Sequence, residues 1–196
     1  MYKLIFKLVL ELISRPSKTW KSLAAERERG VQEGRNKAQH EHFLSNYVYP
    51  FIGLMTVAAF LSICTRQEFD FEYALKSAIL TLVSFFGGFY LASYLLGEVW
   101  KGLFKQPKDV RLCQSFVGLA SSLLYVLEIV RLLLPDFFFL YVFVLYTFYI
   151  VWEGAVIYMK VDEGVRMKFT AIASLILILT PFVINKLFVV LMPAFH

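Results

Sequence analysis

The sequence predicts an all-α polytopic membrane protein, a bundle of five transmembrane helices preceded by an amphipathic interfacial helix. Three observations predict it. Of 196 residues, 59% are hydrophobic, 17% aromatic and only 18% charged, with a mean hydropathy of +0.63, too apolar a balance for a soluble domain of this size. The apolar residues fall into runs at 44–65, 74–97, 112–134, 137–159 and 169–192, each close to the roughly 20 residues that cross a hydrocarbon core of about 30 Å. Finally, Lys and Arg alternate between the segments that join those runs.

The N-terminal region, 1–43, comes first. In "MYKLIFKLVLELIS" the polar residues Lys3, Lys7, Glu11 and Ser14 recur every three or four positions and leave a broad apolar face. That pattern predicts a helix over 1–14, too short to span and suited to lying in the headgroup plane. Lys7 and Glu11 interrupt its apolar run and no small-residue cleavage site follows closely, so the first crossing is expected to act as its own insertion signal. Pro16 then turns the chain, with Ser17 as the expected cap of a charged helical region over 17–43, broken near Gly30 or Gly34. This region reads either as a solvated face or as a partner-docking surface with Trp20 and Leu23 as its apolar contacts.

Orientation follows from charge. Lys3, Lys7, Arg15, Lys18, Lys21, Arg27, Arg29, Arg35 and Lys37 precede the first run. The first loop holds Arg66 against Glu68, Asp70 and Glu72, the second Lys101, Lys105, Lys108 and Arg111, and the fourth Lys160, Arg166 and Lys168. Positive charge marks the cytoplasmic side, so the N-terminus and the second and fourth loops are expected inside, and the first and third loops and the tail "MPAFH" outside. The formal charge of +5 is then a topology signal reinforced by anionic lipid, not a nucleic-acid-binding one. Cys64 and Cys113 fall at opposite faces and predict no disulfide.

Within the 44–196 bundle, Ser84, Gly88 and Ala92 on the second span and Gly118 and Ser122 on the third carry small residues at four-residue spacing, the pattern of close helix packing. The aromatic fourth span, "FFFLYVFVLYTFYIVWEG", lacks such a seam and is expected to face lipid or another subunit. Four charges converge near the outer leaflet: Glu128 and Arg131, three apart on one helical face, Lys186, and Lys76. A lone carboxylate there costs at least a few kcal/mol, so Glu128 requires a donor, Arg131 or Lys186. Glu153, beside Trp152 at the inner interface, reads as a hydrated boundary residue, a hydrogen-bonded packing residue or a protonatable site.

Catalytic chemistry is not evident. His40 and His42 stand two apart on different sides of a helix, without metal-ligand spacing, and are expected to be solvated. There is no GxSxG, no glycine-rich phosphate loop and no acid, base and nucleophile confined to one membrane face, so neither an enzyme nor a cofactor is expected.

The order of features, "RPSKTW", "NYVYPFIGLMTVAAFLSI", "GGFYLASYLLGEVWKGLF", then "LYTFYIVWEGAVIYMKV" before "RMKFTAIASLILILTPFVINKLF", resembles the Yip (Ypt-interacting protein) family of five-span membrane proteins in its short bacterial branch. The resemblance implies five spans with the N-terminus inside. Tyr49 and Pro50 of "NYVYP" are what remains of the eukaryotic Asp-Leu-Tyr-Gly-Pro signature; the acid, the glycine and the long acidic cytosolic domain are missing, so a Rab-type partner is not implied. The expected function is that of a non-enzymatic protein of a bacterial inner membrane that binds or organises other membrane components, its partners being the bilayer and other membrane proteins or a second copy. The alternative is a small-solute, ion or lipid transporter or channel that uses the intramembrane charges.

Overall fold

The computed structural model describes residues 2–64 and 69–191, with side chains from Ile5 onward. Arg66 and Glu68 of the expected first loop and the tail "MPAFH" lie outside the described residues. Among the described residues every element is helical. Helices α1 (Tyr2–Ser14) and α2 (Pro16–Gln32) form an N-terminal hairpin. Pro16 occupies the first turn of α2, where a missing N–H costs nothing. The residue at the cap position is Arg15, with no side-chain cap, so the cap expected at Ser17 is not formed. Gly34, at φ +68°, makes the turn after α2; Gly30 instead stays helical and buried.

The first long helix begins with α3 (Asn36–Phe43), passes through a π-helical turn at Leu44–Val48 and continues as α4 (Tyr49–Cys64). The π turn ends just ahead of Pro50, whose missing N–H removes a rung of the helical ladder. Helix α5 (Phe71–Gly102) starts at Asp70, whose Oδ1 accepts the backbone N–H of Glu72 at 2.8 Å and of Tyr73 at 3.2 Å. The third crossing, expected as one helix over 112–134, is broken into α6 (Val110–Ala120) and α7 (Ser122–Leu133), which meet at 42°. The Ser122 hydroxyl donates to the carbonyl of Leu119 at 2.5 Å, back-bonding of a kind that bends apolar helices.

The fourth segment is a 3-10 helix, Pro135–Leu145, that becomes α8 (Tyr146–Ile157). No residue of the 3-10 part is buried, whereas α8 buries Thr147, Ile150, Val151, Gly154 and Ala155. The expected lipid-facing character therefore belongs to its first half alone. A short 3-10 turn, Glu163–Val165, leads into α9 (Arg166–Leu191). Among the described residues four helices are long and apolar enough to cross a membrane, and the bent α6–α7 pair makes a fifth if it counts as one span.

The N-terminal hairpin does not lie apart from the bundle. Ile5, Val9 and Leu12, spaced to share one face of α1, are buried, while Phe6 and Leu10 remain exposed. Arg27 on α2 pairs with Asp109 at 2.8 Å, and Glu28 pairs with Lys160 at 2.7 Å. Those contacts gather α2, the α5–α6 connection and the α8–α9 connection at one end of the bundle, called here the basic end.

Candidate functional site

At the end opposite the basic one, the charges resolve into a pair and a single cation. Glu128 is buried at 8% exposure, and Arg131 grips it with both arms of the fork: Nε donates to Oε2 at 2.8 Å and Nη2 to Oε1 at 2.5 Å. The three-residue spacing on α7 makes this possible, and a two-point charge-assisted contact is the strong form of the interaction. Arg131 itself is half exposed, at 51% of its side chain. Lys186 of α9 lines the same cavity of about 340 Å³, together with Ser84, Tyr141 and Asn185. Its Nζ lies 5.6 Å from the Phe182 ring centre, and among the described residues no carboxylate comes within 4.0 Å of it. Lys76 does not join this group; it pairs with Glu72 on its own helix at 2.7 Å. Of the donors expected for Glu128, Arg131 is the one used.

The basic end is organised around Trp20. Its side chain is fully buried, its indole N–H donates to the carbonyl of Ile150 at 3.0 Å, and its ring stacks on Phe116 and tilts against Tyr158 with centroids 5.4 and 5.2 Å away. The pocket that receives it depends on Gly154, where an added Cβ would meet the Trp20 ring at 2.7 Å. Trp20 is thus consumed by its own chain and unavailable as a partner contact. Leu23 packs partly buried against the same core. The Arg27 guanidinium sits 5.7 Å above the Tyr158 ring. Asp109 does double duty, capping α6 through Oδ1 to the Leu112 N–H at 3.0 Å while Oδ2 receives Arg27. The hydrogen bond and charge of Lys160 hold the Glu28 carboxyl below its usual range.

Glu153 has a partner that sequence spacing did not reveal. Arg166, thirteen positions on, brings Nη2 to 3.6 Å from its carboxylate, donates from Nε and Nη2 to the Trp152 carbonyl at 3.1 and 3.0 Å, and lies 4.2 Å over the Trp152 ring. Both side chains of the pair are largely buried, at 17% and 15%. At 3.6 Å the contact is an ion pair rather than a hydrogen bond, and the Arg166 hydrogen bonds go to the Trp152 carbonyl instead. The expectation of solvated histidines fails for His40, which is buried and sits 2.8 Å from Gln114 Oε1 and 3.2 Å from the Ser115 hydroxyl. A neutral ring with its hydrogen on Nε2 satisfies both contacts. His42 is exposed. Among the described residues no three His, Cys, Asp or Glu side chains are grouped as a metal site, and Cys64 and Cys113 are free.

The small-residue seams pack helices. A Cβ on Gly88 would lie 2.9 Å from the Cα of Pro181, and one on Gly118 would lie 2.9 Å from Val48. Ser84, Ala92 and Ser122 are buried beside them, and Ser122 also meets the Tyr47 hydroxyl at 2.6 Å. Tyr49 reaches Tyr90, hydroxyl to hydroxyl, at 2.6 Å, with Pro50 half-buried next to it. Asp109 and Gly154 were not singled out in the sequence, and Arg166 only as a charge that marks topology. Asp109 carried a readable signal, an acid just before an apolar run; the other two act across sequence distances that no local pattern reports. Comparison with known protein families, curated proteins and solved structures returns no match for this chain.

Proposed function

We propose that the chain is a Yip-like, non-enzymatic membrane protein with five crossings that binds or organises other membrane components, its basic end facing the cytoplasm of a bacterial cell. The observation that carries this reading is how the intramembrane charges are used. Glu128 closes on Arg131, Glu153 on Arg166 and Lys76 on Glu72. Between the two ends, the gap bounded by Gly88, Tyr125 and Pro181 is about 10 Å³, at the lower limit for a single water molecule. Charges paired in this way orient helices against one another. The Arg27–Asp109 and Glu28–Lys160 pairs support the orientation, because they join the three segments that the positive-inside rule assigns to the cytoplasm.

One observation favours a second reading, a transporter, channel or lipid-moving protein. Lys186 faces a cavity of about 340 Å³ that Glu128 also lines, and among the described residues it makes no ion pair within 4.0 Å. Purification of the intact protein from its own membrane, with identification of co-purifying proteins and lipids, should return a reproducible partner. Ion or lipid movement in proteoliposomes that Glu128→Ala abolishes would overturn the organiser reading in favour of the second.

A further inference from the structure

A cavity of about 400 Å³ lies at the basic end, between the N-terminal hairpin, the π turn and α6, within the range of about 300–1,000 Å³ typical of small-molecule sites. Its lining changes character along its length. At the mouth stands Arg111 in the first turn of α6, exposed, and without an ion pair within 4.0 Å among the described residues. Arg27 is there too, but Asp109 already holds it. Deeper in, the walls are Ile5 and Leu8 of α1 and Leu119 of α6. Arg111 and Leu119 are separated by roughly 12 Å along the helix, at 1.5 Å per residue. The cavity is therefore charged where the helices begin, with Glu26 in the same wall and Arg111 the cation left without an ion pair among the described residues, and apolar about two turns further in.

The π turn contributes to this shape. Leu44–Val48 widens the helix beside the cavity, and the Asn46 side chain and the Ser45 hydroxyl both donate to the His42 carbonyl, at 3.1 and 3.3 Å. π turns of this kind recur at functional sites. We propose that this cavity binds a lipid with a phosphate-bearing head: Arg111 holds the phosphate at the membrane surface, and an acyl chain lies between α1 and α6. The site does not depend on the organiser reading. It requires only that the basic end sits at a membrane surface.

The protein reconstituted in vesicles of digalactosyldiacylglycerol, a bilayer lipid without phosphate, doped with phosphatidic acid that carries a diazirine near the tail of its acyl chain, tests this by irradiation and peptide mapping. Label should concentrate on peptides containing Ile5, Leu8 and Leu119. Arg111→Ala should lower it about tenfold, as expected for one lost charge-assisted contact, and Leu119→Trp should block it by filling the apolar end. Arg111 is exposed, so its variant should keep the wild-type thermal midpoint even if Leu119→Trp does not. Lysophosphatidic acid should compete and glycerol 3-phosphate should not. Label spread evenly over lipid-facing helices such as α9, or unchanged in Arg111→Ala, would overturn the site. Equal competition by glycerol 3-phosphate would overturn the lipid part, leaving a site for a soluble phosphate.

Discussion

Among single residues, the buried carboxylate Glu128 and the largely buried Glu153 each sit against an arginine. Glu128 is the test case, because its carboxylate is buried while its partner Arg131 is half exposed. Removing the acid leaves a cation that can reach headgroups or water. Removing the base strands a buried carboxylate, which must take up a proton or find other donors. Arg131→Ala should therefore lower stability in detergent by roughly 1–3 kcal/mol, below the figure for a fully buried pair because Arg131 is half exposed. Glu128→Gln should cost less, and combining the two should recover part of the Arg131→Ala loss. Thermal unfolding of the three variants measures this. A double variant no better than Arg131→Ala alone would mean that Glu128 does not depend on Arg131. The pair was legible in "YVLEIVRLLLP" because both members lie on one helical turn. Arg166 was not, since a partner thirteen residues away across a chain reversal leaves no trace in local spacing.

At the scale of elements, the N-terminal hairpin departs most from what its sequence predicted. The amphipathic pattern of α1 and the proline break were readable, as was the existence of a charged helix after them. Where the apolar face goes was not. A stripe of Ile5, Val9 and Leu12 has the same spacing whether it meets lipid or protein, and only the fold shows it turned onto the chain's own helices. The aromatic fourth segment shows the same limit. Its composition pointed to lipid or another subunit over much of its surface, yet its second half buries five residues, with Gly154 opening a slot for Trp20. Trp20→Ala removes a fully buried ring and its hydrogen bond, a loss of about 3–5 kcal/mol by the usual cost of such truncations. Gly154→Ala, which crowds the same slot, should cost about 1–3 kcal/mol. Both should raise amide exchange in α2 while leaving α5 and α9 protected. Unchanged protection of α2 in Trp20→Ala would show that the hairpin is held by other contacts, the Arg27 and Glu28 ion pairs first among them.

For the whole molecule, hydropathy and charge settled the class of fold, and the structure supplies its joints. Four long apolar helices were readable because each is continuous over most of its predicted run. The break at Ser121 was not, because "LASSLL" is as apolar as its surroundings and two serines alone do not mark a bend. That break leaves the central claim of the account, five crossings with the N-terminus, the α5–α6 connection and the α8–α9 connection on the cytoplasmic side, resting on whether α6 and α7 form one bent span. The alternative is a re-entrant pair, with α6 and α7 entering and leaving on the same side. Single-cysteine labelling decides between them. In a Cys64→Ser, Cys113→Ala background, Lys105→Cys and Asp136→Cys flank the pair on either side. With a membrane-impermeant maleimide applied to intact cells, Asp136→Cys should label and Lys105→Cys should not, and inverted vesicles should reverse the result. Labelling of both positions from the same side would make the pair re-entrant and contradict the five-crossing account.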